Sequence, residues 1–74
     1  MKITVKLFAT FRDGRQKIQV IDLPESSTAN EVINILGIIR SAVAILLING
    51  RDAALNTKLA ENDTVSLFPP IGGG

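Results

Sequence analysis

Hydrophobic residues in this chain keep a two-residue rhythm at both ends and a helical rhythm once, near the middle. Over residues 2–8, Ile3, Val5 and Leu7 alternate with Lys2, Thr4, Lys6 and Phe8, the pattern of a strand with one buried face. Asp13-Gly14 then offers a turn able to adopt positive φ, and alternation resumes over 17–22 with Ile18 and Val20 expected on the inner face. These two strands are predicted to pair antiparallel, with Pro24 closing the second. From Thr28 the rhythm changes. Glu31 stands three residues on, the spacing of a capping box, with Ser26 and Ser27 as alternative caps, and Ala29, Val32, Ile33 and Leu36 form one apolar stripe. Gly37 is expected to stop that helix, and 38–43 to be an irregular or short helical connection.

Strand patterns then return. Ala44 to Ile48 is a strand-length apolar run closed by Asn49-Gly50. A short strand is expected near 52–54, and Leu59 is expected to plug the core from a loop. Asn62-Asp63 makes a further turn, and 64–68 form the last strand with Val65 and Leu67 inward and Phe68 outward. Pro69 cannot donate to a ladder, so pairing should stop there. A hairpin, one helix and later strands predict an α+β domain, a mixed sheet of four to five strands packed on one main helix, with the later strands carried across that helix by the crossover rule.

Composition removes whole classes of chemistry. With 74 residues there is room for one core only, and with no cysteine and no histidine the chain has no disulfides, no thiol nucleophile, no imidazole base and no zinc site built on either residue. A net charge of +1 is too small to argue for nucleic acid or a membrane surface. Glu61 and Asp63 form the only suggestive carboxylate pair, and their turn setting without companions argues against acid–base work. Lys2 and Lys6 share a face with Phe8 and suit either an acidic partner or a solvated sheet. Lacking a signal peptide pattern and an unbroken apolar span, the chain reads as cytoplasmic and not catalytic alone.

What remains is the end of the chain. Residues 1–68 read as the folded domain, and 69–74, Pro69-Pro70-Ile71-Gly72-Gly73-Gly74, as a narrow, flexible, extended tail. Three residues without Cβ atoms can thread a tunnel that would exclude any other side chain, and at ~3.5 Å per residue the six reach about 20 Å from the fold. The two prolines stiffen the root of that reach and lower the ordering cost on insertion. Parity places Phe8 and Phe68 together on the exposed face beside that root, where paired aromatics mark a partner-binding patch. The one reactive group is the α-carboxylate of Gly74. A carboxylate is a poor acyl donor, but adenylation by ATP makes a mixed anhydride, and a sulfur nucleophile can then displace AMP to leave a thiocarboxylate. Both steps call for another enzyme.

Val5-Lys6-Leu7-Phe8-Ala9, Ile48-Asn49-Gly50, the Leu59 to Val65 segment and Phe68 through Gly74 together resemble the ubiquitin-like sulfur carriers (MoaD/ThiS-like) over essentially the whole chain. The Pro-Pro before the glycines is most similar to the small subunit of molybdopterin synthase. The short connection between helix and third strand resembles the thiamine branch. Asn62 stands where glycine is usual, and Gly72 where serine, threonine or alanine is often found. The resemblance implies a ubiquitin-like β-grasp fold and a carrier cycle. A ubiquitin-activating-type enzyme would consume ATP to adenylate Gly74, sulfur would convert it to 1-thioglycine, and the large synthase subunit would accept that sulfur into molybdopterin. No cofactor or metal would be bound. The alternatives are a carrier serving thiazole synthase in the thiamine pathway, a ubiquitin-like protein modifier joined through Gly74, and a plain interaction module with an incidental tail.

Overall fold

The computed structural model describes residues 1–70. Five strands and one α-helix follow in the order β1 (Lys2–Leu7), β2 (Ile18–Asp22), α1 (Ala29–Leu36), β3 (Ile45–Ile48), β4 (Arg51–Asp52) and β5 (Thr64–Phe68), with 3-10 turns at Ala9–Arg12 and Arg40–Ala42. The strands form one sheet in the order β2-β1-β5-β3-β4. β1 and β5 are parallel, and every other neighbouring pair is antiparallel. The mixed sheet is thus the one anticipated, with five strands.

Alternation on the two central strands is complete. Ile3, Val5, Leu7, Val65 and Leu67 are fully buried, and they meet Ala29, Val32 and Ile33 of α1, also fully buried. Full burial of each of the valine, leucine and isoleucine side chains contributes on the order of 1.5–3 kcal/mol of transfer free energy. Leu46 comes from β3, while Leu23, Ile38 and Leu59 close the core from loops. Leu59 plugs it as its spacing suggested, held by its N–H donating to the Ser27 carbonyl at 2.8 Å.

The helix begins and ends on the expected residues. The Glu31 carboxylate accepts from both the backbone N–H and the hydroxyl of Thr28, each at 2.6 Å. These hydrogen bonds, the hydroxyl first, hold the Glu31 carboxyl below its ordinary range. At the other end Gly37 takes φ +71°, a left-handed conformation that costs glycine little. The N–H of Ile38 returns to the Ile33 carbonyl at 2.9 Å, and the Arg15 guanidinium donates to the Leu36 carbonyl at 3.0 Å. A cation on the last carbonyls also complements the helix dipole.

Two expectations need correction. The connection between β1 and β2 is no tight hairpin turn at Asp13-Gly14. A 3-10 turn intervenes, and it carries Phe11 back under the sheet to 7% exposure. Gly14 still supplies the positive φ, +69°. The second correction concerns β2. Ile18 and Val20 were expected inward, yet they are 59% and 60% exposed. Register explains the reversal. Ile3 pairs with Ile21 and Val5 with Gln19, so Gln19 and Ile21 share the buried face. Two apolar sets offset by one residue compete on this strand, Ile18/Val20 and Ile21/Leu23. Anchors at both ends choose the second: the Leu7 N–H donates to the Lys17 carbonyl at 2.8 Å and the Leu23 N–H to the Met1 carbonyl at 2.9 Å. A one-residue change of register inverts every side chain on a strand.

Candidate functional site

Parallel pairing of β1 and β5 matches Lys6 with Ser66 and Leu7 with Leu67. The next residue on each strand is therefore a phenylalanine, and the two rings lie together. Phe8 and Phe68 stack with centroids 4.2 Å apart and planes within 9°. Such pairs contribute roughly 0.5–1.5 kcal/mol beyond the area they bury. The expected juxtaposition is there, but not the expected exposure: both residues are half-buried, because each ring covers a face of the other. Together they form one stacked aromatic plate.

Two neighbours complete the plate. Ile45 of β3 pairs with Phe68 and is 44% exposed, so the apolar surface continues across a third strand. The Arg12 guanidinium lies 5.3 Å from the Phe8 ring centroid and donates from Nε to the Leu7 carbonyl at 2.8 Å. A cation over a ring face at such a site is worth about 0.5–1 kcal/mol. Neither residue was singled out by sequence. Ile45 was hidden in a continuous apolar run with no visible parity, and Arg12 in a segment read as a simple turn. Between Phe8 and that turn stands Ala9 at φ +52°, a left-handed conformation costly for a residue with a Cβ.

The tail leaves this plate directly. Pro69 is half-buried and Pro70 exposed, and the Phe68 carbonyl makes the last ladder bond, accepting from Ala44 N–H at 2.9 Å. Ile71, Gly72, Gly73 and Gly74 lie outside the described residues. Elsewhere the charged candidates have structural work. Lys2 donates to both Asp22 oxygens at 3.0 and 2.9 Å, and that bond and charge hold the exposed Asp22 carboxyl below its ordinary range. Glu61 accepts from the Lys2 N–H at 2.8 Å. Asp63 accepts from the Asn49 side-chain amide and the Ala60 N–H, both at 2.8 Å. Lys6, on the open face, enters no ion pair among the described residues. Among those residues there is no pocket, no cluster of three metal-ligating side chains and no helix long and apolar enough to cross a membrane.

A five-stranded mixed sheet folded over one helix, with parallel central strands and an aromatic plate where the last strand ends, defines a ubiquitin-like β-grasp domain. The sequence profile of the ThiS family matches residues 5–74, and the chain belongs to that family. Solved structures agree. The protein assigned as molybdopterin converting factor subunit 1 from Pyrococcus furiosus is 29% identical, with 96% of this chain and 99% of that one covered and a TM-score of 0.74. Subunit 1 in the complex of molybdopterin converting factor subunits 1 and 2 from Helicobacter pylori is 25% identical over the full length of both chains, with a TM-score of 0.67. SAMP1 from Haloferax volcanii covers both chains fully at a TM-score of 0.79 and 24% identity, a likeness of fold. No curated protein matches the chain by sequence.

Proposed function

We propose that this protein carries sulfur as a thiocarboxylate on Gly74 and donates it, as the small subunit of a two-part synthase, to molybdopterin assembly. The observation that carries this reading is the stacked Phe8/Phe68 plate at the root of Pro69-Pro70. It is an apolar docking surface from which the glycine end can be fed into a partner's active site. Support also comes from the likeness to molybdopterin converting factor subunit 1, one example of which is assembled with subunit 2. In the first step the Gly74 carboxylate attacks the α-phosphate of ATP held by an adenylating enzyme, and pyrophosphate leaves. In the second a sulfur nucleophile attacks the acyl carbon and AMP departs. The body of the domain contributes docking and reach, and the partners contribute catalysis. Pro69 through Gly73 are the inserted segment, and Phe8 and Phe68 the contact surface.

A carrier for the thiazole of thiamine is the second reading, favoured by the family profile that the chain matches. Incubating the full chain with an activating enzyme, ATP and a sulfur source tests the shared chemistry, with intact mass as readout. One oxygen exchanged for sulfur is expected, and an unchanged mass overturns the carrier reading. Presenting the thiocarboxylate form to a molybdopterin synthase large subunit and to a thiazole synthase then separates the two acceptors.

A further inference from the structure

The two edges of the sheet are built differently. β4 consists of Arg51 and Asp52, both exposed, a short charged edge of the kind that discourages pairing. β2, at the other end, pairs with β1 alone among the described residues, and its five residues include no proline. Its inward backbone bonds are made by odd-numbered residues, as the Leu7–Lys17 and Leu23–Met1 bonds at its ends show. Antiparallel geometry then turns the N–H and C=O groups of Ile18, Val20 and Asp22 outward along the free edge. The side chains of Ile18 and Val20, 59% and 60% exposed, stand beside those outward groups on the face away from α1. Natural sheets usually blunt such an edge with lysine, proline or a bulge. β2 combines an open ladder with an apolar stripe.

We propose that this edge docks a second copy of the chain, β2 against β2, antiparallel about Gln19. In that register Ile18 lies opposite the partner's Val20 and Val20 opposite the partner's Ile18, so four apolar side chains close into one cluster on the open face. Gln16 falls opposite the partner's Asp22, an amide donor against a carboxylate, and Lys17 opposite the partner's Ile21. No like charges meet. Shifting the centre to Val20 would instead set Ile18 against the partner's Asp22 and desolvate a carboxylate on an apolar surface. The centre at Gln19 is the complementary one.

Pairing about a two-fold axis normal to the sheet joins two five-stranded sheets into one of ten strands. The two β5 strands lie five strand spacings apart, about 24 Å, and run in opposite directions. Both aromatic plates therefore stay free, and the dimer stands whether or not the carrier reading holds. Two paired strands of this length bury less than a standard stable interface, so the association is weak and concentration-dependent.

The absence of cysteine from the sequence makes a crosslinking test direct. Residues facing each other at a non-hydrogen-bonded antiparallel pair have Cα atoms about 4.5 Å apart, within the span a disulfide bridges. Under mild oxidation Gln19→Cys should form a covalent dimer roughly tenfold faster than an exposed control, Asn56→Cys. Val20→Lys in the Gln19→Cys background should remove that advantage. The unsubstituted chain, sedimented from ~10 µM to ~1 mM, should gain mass with concentration while exchange of the Ile18, Val20 and Asp22 amides slows. Equal crosslinking of Gln19→Cys and Asn56→Cys overturns the proposal. So does a natural chain that stays monomeric with unchanged exchange at those amides.

Discussion

The two faces of the central strand pair share a backbone and share little else. On the face toward α1, Val5, Leu7, Val65 and Leu67 are fully buried, and they hold the domain together. On the opposite face Thr4, Lys6, Ser66 and Phe68 are half-buried or exposed, and stability asks little of them. There the same strands place two aromatic rings 4.2 Å apart where the last strand ends. Period-two geometry allows one strand to build a core on one side and an aromatic plate on the other, with neighbouring residues answering to different demands. A domain this small has little room to keep the two apart in any other way.

The sharpest break between the faces comes from a change that touches neither. A residue appended after Gly74, or Gly73→Val, should abolish adenylation altogether while the unfolding curve stays where it was. Normal adenylation of either variant would end the idea of a narrow tunnel. Next in size, Leu67→Ala should cost about 2–5 kcal/mol by urea denaturation, since it opens a cavity in a close-packed core. On the other side of the same strand, Phe68→Asp should weaken binding to a large synthase subunit or an activating enzyme by more than about tenfold. Its loss of stability should stay nearer ~1 kcal/mol, the scale of one aromatic stack. A destabilisation as large as that of Leu67→Ala would show the ring to be part of the core and collapse the distinction.

Smaller effects test the supports of each face. Thr28→Ala should cost on the order of 1 kcal/mol by removing a helix-capping residue. The carboxyl of its partner Glu31 is held below the ordinary range by the Thr28 hydroxyl and backbone. A lowered folded-state value means that this contribution is present at neutral pH and is lost as pH falls through that value. Glu31→Gln should therefore flatten the acid side of the stability profile, and an unchanged profile would count against the cap. Smallest of all, Ala9→Gly should raise stability by about 0.5 kcal/mol, because Ala9 holds a left-handed conformation beside the plate. If it also weakens partner binding, that strained residue helps to aim Phe8.

How far the sequence reaches depends on whether a local signal has a rival. Gly37, the Thr28/Glu31 box and the Asn49-Gly50 turn were legible because each is decided within a few residues, and Asn49 and Gly50 both adopt positive φ, +53° and +82°. Val65 and Leu67 were legible because their strand alternates without ambiguity. β2 was not, because Ile18/Val20 and Ile21/Leu23 satisfy the same rhythm one residue apart. Of the site, the pairing of Phe8 with Phe68 followed from parity and neighbouring strands, whereas Ile45 and Arg12 emerged only with the register of β3 and the 3-10 turn.

Sequence alone settled the kind of fold, the helix and its ends, and the absence of any cysteine or histidine chemistry. Those depend on propensity, spacing and reactivity, which are local properties. The tertiary structure decided which face of β2 looks inward, how two phenylalanines shield one another, and which edge of the sheet is left open. Each of these is fixed by hydrogen bonds and contacts between residues distant along the chain, and no local pattern encodes them.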